Sequence, residues 1–168
     1  IQVEGLGASA QGQVLTITSG GTYVLNGTLS SGQIVVNSND TNVVRLVLNG
    51  VEITCEDNAP LYVENAKKVV VSLEEGTTNR FIDGATYGTN TEEPDSAIFS
   101  KDDLTFNGTG TLEVNANYQN GITSKDDLRI MEGTFIVNAV NHGIKGKDMV
   151  AIKDGNFKVN AGGDAIKS

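Results

Sequence analysis

The chain repeats one pattern in three consecutive segments: AIFSKDDLTFNGTGTLEVNANYQN at residues 97–120, GITSKDDLRIMEGTFIVNAVNH at 121–142 and GIKGKDMVAIKDGNFKVNAGGD at 143–164. A fourth copy begins with AIKS at 165–168. The equivalent lysines Lys101, Lys125 and Lys147 lie 24 and then 22 residues apart. A period of about 20–25 residues is typical of a solenoid, in which one supersecondary unit stacks on its copies.

Each repeat contains strand signals and no helical period. Leu112, Val114 and Ala116 alternate with polar residues, and the later copies repeat this alternation, which is the period of a β-strand. A second apolar segment at 104–106 and a third around Ile98 also recur, with glycines between them. We therefore predict an all-β fold, a right-handed parallel β-helix with three short strands per 22–24-residue rung.

The SKDD tetrapeptide is predicted to form a corner between two strands. Asp102 has the parity of Ile98 and Leu104, which point inward, and a carboxylate cannot lie unpaired in an apolar core. Rungs stack at about 4.8 Å, so equivalent carboxylates lie above one another. The stacked acidic side chains are Asp102, Asp126 and Asp148 in one column and Asp103 and Asp127 in a second column, which ends at Met149.

Such columns require a counter-charge, because like charges at this spacing repel by about 3.5 kcal/mol at an effective dielectric constant near 20. Two interpretations remain open: the adjacent lysines screen the carboxylates, or a metal ion binds them. Several Asp oxygens in a flexible arrangement favour Ca²⁺ over Mg²⁺. The predicted calcium ligands are Asp102, Asp103, Asp126, Asp127 and Asp148.

Length, composition and charge limit the other possibilities. The 168 residues predict one domain, 1–168, interrupted by a Gly/Thr/Asn-rich segment at 83–96 that we expect to be extruded from one face. The net charge of −9 argues against nucleic acid as a partner. No segment is apolar enough to span a membrane, and the single cysteine, Cys55, excludes an internal disulfide.

Two further polar features have structural interpretations. His142 replaces Asn120 and Asp164 of the neighbouring copies, and a lone histidine is more typical of a polar corner residue than of a catalyst. An asparagine recurs at one strand position in three copies, and we expect these side chains to form a hydrogen-bonded ladder. The ladder residues are Asn115, Asn138 and Asn160.

The repeats, together with TYVLNGTLSSGQIVV, VRLVLNGVEI and APLYVENAKKVVVSLEEGTTN, resemble a family of secreted bacterial carbohydrate-binding proteins over nearly the whole chain. These proteins are calcium-loaded right-handed parallel β-helices with a fold similar to family 9 polysaccharide lyases. The resemblance implies non-catalytic binding of acidic plant cell-wall polysaccharide, notably polygalacturonate and also cellulose, and a secreted or cell-surface location.

The resemblance also implies roles for particular residues. Asp102 on one rung, with Asp126 and Asp127 on the next, reproduces the calcium-binding arrangement of the related lyases. Lysines at the corner are expected to contact the polysaccharide: Lys101, Lys125, Lys147 and Lys145. A lyase would need a lysine base with a lowered pKa, and no lysine here stands in a context that matches one.

Two alternatives therefore stand beside the binding protein. One is a pectate-lyase-like enzyme that uses calcium and a lysine base. The other is a structural repeat of a cell-surface adhesin, with calcium as a staple. The family normally continues beyond AIKS, so the C-terminus is expected to be truncated. The open rung either associates end to end with other copies or has lost a C-terminal segment.

Overall fold

A computed structural model describes residues 1–88 and 92–168, and all the regular structure in these two ranges is β-strand. The strands wind into a parallel solenoid of about six turns, which confirms the predicted fold class. Among the described residues, no helix has the length and apolar character that crossing a membrane requires.

The strands follow one another with short connections. They are β1 (Gln2–Glu4), β2 (Ala8–Gln11), β3 (Val14–Ile17), β4 (Gly21–Leu29), β5 (Gln33–Asn37), β6 (Val44–Cys55), β7 (Leu61–Asn65), β8 (Val69–Leu73), β9 (Thr78–Asp83), β10 (Ser96–Ser100), β11 (Leu104–Asn107), β12 (Thr111–Ala116), β13 (Asn120–Ser124), β14 (Asp127–Ile130), β15 (Thr134–Ala139), β16 (Ile144–Gly146), β17 (Met149–Ile152), β18 (Asn156–Ala161) and β19 (Ile166–Lys167).

Three parallel ladders form the sides of the solenoid. Sheet 1 contains β3, β5, β7, β10, β13, β16 and β19; sheet 2 contains β4, β6, β8, β11, β14 and β17; sheet 3 contains β6, β9, β12, β15 and β18. In sheet 1, Ile98 pairs with both Leu61 and Ile122, and Ile144 pairs with Ile122 and Ile166. The alignment of repeats predicted from the sequence is therefore confirmed.

The first two rungs differ from the later ones, because one long strand replaces two short ones. β4 pairs with β6 along most of its length, with an irregularity between Leu25 and Gly27. The first part of β6 then pairs with β8 and its last part with β9, so β6 bends from one side of the rung to the next. Gly27 and Gly50 allow these bends, with φ of +93° and +78°.

An antiparallel cap precedes the first rung. β1 pairs with β4, and β2 pairs with β3, both antiparallel. The fully buried Tyr23 ties the connection between the two cap strands to the first rung, since its hydroxyl donates to the Leu6 carbonyl at 2.5 Å and to the Ser19 carbonyl at 2.7 Å. The cap was not predicted, because its strands are not part of the repeat.

The interior is a mainly apolar column that also holds a buried asparagine. Phe106 meets Phe135 edge to face with ring centroids 5.5 Å apart, and Phe135 stacks on Phe157 at 5.2 Å. Asn79 occupies the inward position that Leu112 holds on the next rung and is fully buried. Its Oδ1 accepts from the backbone N–H groups of Gly50 and Val51 at 3.0 and 2.9 Å.

We predict that Asn79→Ala destabilises the solenoid strongly. The substitution removes the acceptor of two backbone donors and the donor to the Thr111 carbonyl, and each buried group left unpaired costs about 1–3 kcal/mol. The free energy of unfolding in urea should fall by about 2–4 kcal/mol. Asn115→Ala, on the outer surface, is the matched control and should cost less than about 1 kcal/mol. Equal losses for both variants would contradict this role of Asn79.

Candidate functional site

A buried serine builds the first two copies of the predicted acidic corner, and Gly146 takes its place in the third copy. β10 ends at Ser100 and β11 begins at Leu104, so the chain turns between them as predicted. The Ser100 hydroxyl donates to the Asp102 carbonyl at 2.7 Å. On the next rung, Ser124 donates to the carbonyls of Asp102 and Asp127 at 3.0 and 3.2 Å. Both serines are fully buried, so they fix the path of the backbone.

Backbone hydrogen bonds stack these corners. The Lys125 N–H donates to the Ser100 carbonyl and the Lys147 N–H to the Ser124 carbonyl, both at 2.9 Å. The Asp148 N–H approaches the Asp126 carbonyl at 3.4 Å. Three successive rungs therefore present an aspartate at the same corner. We call the side chains of Asp102, Asp126 and Asp148 the acidic column.

The acidic column carries residual repulsion. Lost hydration raises the pKa of Asp126, and the charges of Asp148, Asp102 and Asp103 raise it further. Asp102 is turned towards the preceding rung, where its Oδ2 accepts from the Ala66 N–H at 2.8 Å. The donor set, carboxylate oxygens alone, has the chemistry that Ca²⁺ prefers. Within the described residues, however, no three His, Cys, Asp or Glu side chains converge on one point as metal ligands.

An arginine partly neutralises Asp103 and Asp127. Arg129 lies 2.5 Å from Asp127 (Nη2 to Oδ2) and 3.7 Å from Asp103 (Nη1 to Oδ2). The Asp127 N–H also approaches Asp103 Oδ1 at 3.4 Å. Sequence reasoning did not assign Arg129, because Thr105 and Ala151 occupy its position on the neighbouring rungs. The predicted ligand set is therefore divided between a pair that shares one arginine and the acidic column.

The lysines of the repeat make three different sets of contacts. The Lys101 ammonium lies 5.7 Å from the ring centroid of Tyr62, and a hydrogen bond with Tyr62 raises the pKa of Lys101. Lys125 forms an ion pair with Glu93. Of these three lysines, Lys147 is the one whose charge acts on Asp126, where it favours the ionised carboxylate. In the described part of the chain, screening of Asp126 by the lysines of the repeat, one of the two interpretations above, therefore comes from Lys147.

Part of the outer face of sheet 1 is buried. Phe99 lies on that face and is fully buried, and Pro94, which precedes β10, is buried as well. The Ser96 hydroxyl bonds that of Thr123 at 2.5 Å. Two rungs after Phe99, Lys145 occupies the same outward position and is half-buried. Residues 89–91 of the predicted extruded loop, 83–96, lie outside the described residues.

His142 contacts only corner groups among the described residues. Its Nδ1 accepts from the Asp164 N–H at 3.0 Å, and its Nε2 lies 3.3 Å from the Lys167 Nζ. The His142 N–H donates to the Asn120 Oδ1 at 3.1 Å. These contacts join three rungs and are those of a polar corner residue. In the asparagine ladder, Asn138 donates to Asn115 at 3.0 Å.

A buried carboxylate organises the opposite end of sheet 1. Asp83 is 2% exposed and accepts from the Tyr87 hydroxyl at 2.6 Å and from the backbone N–H of Asn117. Burial raises the pKa of Asp83, and it also raises that of Tyr87, to which the charge of Asp83 adds. The Tyr87 ring stacks on Tyr118, with centroids 4.2 Å apart. Sequence reasoning missed this cluster, because Asp83 and Tyr87 precede the repeats and the later copies have no tyrosine to match Tyr118.

Comparisons with known proteins agree with this architecture. A family model described as carbohydrate-binding domain-containing protein matches residues 11–168. The chain belongs to this carbohydrate-binding family. A relative of the same description from Acetivibrio thermocellus is 40% identical over 136 residues, which is 79% of this chain and 48% of the relative. The chain thus spans about half the length of that relative.

A solved structure extends the likeness to three dimensions. It is described as the polysaccharide lyase-like protein from C. thermocellum, in a gadolinium derivative. The two chains are 38% identical and superpose with a TM-score of 0.94, over 97% of this chain and 67% of the other. Carbohydrate binding and the parallel β-solenoid are thus supported at the level of the family, as the sequence predicted. Calcium, secretion and polygalacturonate remain predictions.

Proposed function

We propose that this domain binds acidic plant cell-wall polysaccharide, in the first place polygalacturonate, on the outer face of sheet 1 and without cleaving it. The observation that carries the proposal is the pair Lys145 and Lys147. Within the described residues, neither forms an ion pair with a carboxylate, although the protein carries a net charge of −9. Two ammonium groups on one rung suit the carboxylates of a polyuronate.

Calcium at the acidic column is the second part of the proposal. Its ligands would come from Asp102, Asp126 and Asp148, with Asp103 and Asp127 available where Arg129 releases them. A bound calcium ion would bridge protein and polymer carboxylates. The similar solved structure is a gadolinium derivative, and gadolinium, like calcium, is a hard cation that prefers oxygen ligands. The side chains must move together for this, since they do not converge in the present arrangement.

Binding without turnover is favoured over a lyase reaction by the state of the lysines. A lyase base must lose its proton near neutral pH, whereas the pKa of Lys101 is raised. Lys125 is engaged in an ion pair with Glu93. The lyase-like description of the similar structure keeps the enzyme as the second candidate. A secreted or cell-surface location fits a ligand found outside the bacterial cell.

The first prediction concerns Lys145→Ala/Lys147→Ala. Because each ammonium–carboxylate contact contributes up to about 1 kcal/mol, the double variant should bind polygalacturonate about tenfold more weakly in affinity electrophoresis. Lys153→Ala/Lys158→Ala, with the same charge change elsewhere on the solenoid, is the control and should bind nearly as the wild type does. An equal loss of affinity in both double variants would show that the net charge of the protein, and not the position of these two lysines, determines binding. Continuous growth of unsaturated-product absorbance with the wild type would establish the lyase instead.

The second prediction concerns Glu93. Its carboxylate forms an ion pair with the Lys125 ammonium, which is the contact that a uronate carboxylate of the ligand would make. Both side chains are about one-third exposed, at 37% for Lys125 and 35% for Glu93, so the ion pair is weak and a ligand can displace it. Glu93→Gln should therefore raise the affinity for polygalacturonate about threefold. Glu92→Gln removes the same charge from the adjacent exposed residue and should raise the affinity for polygalacturonate less. The same gain in both variants would show a general charge effect.

The third prediction concerns calcium. If the ion binds the folded protein, excess calcium should stabilise the wild type by about 2.7 kcal/mol at 100 times the Kd, compared with chelator. Asp126→Asn should lose this response. In chelator the variant should be at least as stable as the wild type, because the raised pKa of Asp126 shows that its charge is disfavoured in the folded state. Asp154→Asn is the control, and an unchanged calcium response in Asp126→Asn would refute the site.

A further inference from the structure

The single histidine of the chain lies beside the outer face of sheet 1, against the rung that follows it. The His142 side chain is 15% exposed, and its ring packs on Gly163, where an added Cβ would lie 2.8 Å from Nδ1. Among the described residues, the charged side chains in contact with the ring are those of Asp164 and Lys167. The preceding rung contributes the neutral Asn120, which binds the His142 backbone.

The hydrogen bonds of the ring define where its proton lies when the ring is neutral. The Nδ1 of His142 accepts from the Asp164 N–H at 3.0 Å, so a neutral ring carries its hydrogen on Nε2. The Lys167 Nζ lies 3.3 Å from that Nε2, and two donors that face each other form no hydrogen bond. The Lys167 ammonium is instead held by the Asp164 carboxylate, whose Oδ2 lies 3.5 Å from Nζ.

The register places Lys167 on the surface that carries Lys145 and Lys147, which we call the lysine face. Lys167 pairs with Lys145 of the preceding rung, and paired side chains of neighbouring strands lie on the same side of a sheet about 4.8 Å apart. The Lys167 ammonium nevertheless turns back to Asp164, whereas Lys145 and Lys147 form no ion pair within the described residues. A third ammonium is therefore held away from the lysine face while His142 is neutral.

Protonation of His142 changes each of these contacts. Its Nδ1 can no longer accept from the Asp164 N–H, but the new N–H lies 3.4 Å from the Asp164 Oδ2 and can donate to that carboxylate. The charged ring also repels the Lys167 ammonium, which lies 3.3 Å away. The Asp164 carboxylate thus passes from Lys167 to His142, and the ammonium is released.

We propose that Lys167 is a third ligand-binding cation of the lysine face and that His142 controls its release, so that polyuronate binds more tightly in acidic solution. The inference rests on the function proposed above and adds to it one binding residue and its regulation. Histidine changes its charge between about pH 5 and about pH 8. The polymer keeps its charge over that range, because carboxyl groups ionise at about pH 4.

The test is calorimetric titration of the whole chain with polygalacturonate at about pH 5 and about pH 8. The wild type should bind about fivefold more tightly at the lower pH, which corresponds to one additional ammonium–carboxylate contact. His142→Asn introduces the residue of the preceding copy and should keep the weaker affinity at both pH values. Comparison with this variant also removes any contribution from Asp126, whose raised pKa brings its titration closer to this range.

Two further variants test the release of Lys167 itself. Asp164→Asn removes the carboxylate that holds Lys167, so this variant should bind at the higher pH nearly as tightly as the wild type binds at the lower pH. Asp154→Asn makes the same charge change at another corner and should keep the wild-type pH dependence. Lys167→Ala retains the titrating histidine without the released ammonium and should lose most of the pH dependence, whereas Lys158→Ala should retain it.

Nuclear magnetic resonance reports the protonation of His142 separately, because the chain has one histidine. The release of Lys167 is refuted if the histidine resonance does not titrate in this range, or if Lys167→Ala keeps the full pH dependence of the affinity. A wild type that binds polygalacturonate equally at both pH values would overturn this inference and leave the proposed function standing. A wild type that binds the polymer at neither pH would overturn both.

Discussion

The spacing between hydrogen-bonded rungs is the constraint on which the rest of the structure depends. Because each rung pairs its backbone with the next, a side chain and its repeat partner must lie about 4.8 Å apart. For Ile98, Ile122 and Ile144 this spacing is favourable, since the stacked side chains are fully buried. For aspartates the same spacing is unfavourable, and the backbone cannot relax it without losing its own hydrogen bonds. The outer surface must therefore compensate for the charges that the repeat imposes.

The two acidic columns are compensated to different extents. Asp103 and Asp127 share one guanidinium, whose planar donors reach both carboxylates. Within the described residues, the acidic column is compensated by the Ala66 N–H bound to Asp102 and by the charge of Lys147 near Asp126. Repulsion therefore remains at Asp126, where an added cation would gain the most free energy. A fully neutralised column would have little affinity for an external ion.

The repeat was predictable from the sequence, and the contacts between its copies and other segments were not. Stacked Ile and Phe residues recur at a fixed period, so their pairing follows from alignment alone. Arg129, in contrast, has Thr105 and Ala151 as its repeat partners. Glu93 reaches Lys125 across 32 residues of chain. No periodicity predicts such contacts, because they depend on how a non-repeating segment folds back over a regular surface.

Departures from the repeat give equivalent residues different properties. Lys101, Lys125 and Lys147 are interchangeable in the sequence, yet one lies over Tyr62, one is paired with Glu93 and one stands beside Asp126. The solenoid sets their spacing, whereas residues outside the repeats provide different partners: Tyr62 of β7 for Lys101 and Glu93 for Lys125. Sites for ligands on this fold are therefore expected where a connection lengthens or a partner is missing. The most regular stretches, in which every group is matched by its copy, have least to offer a ligand.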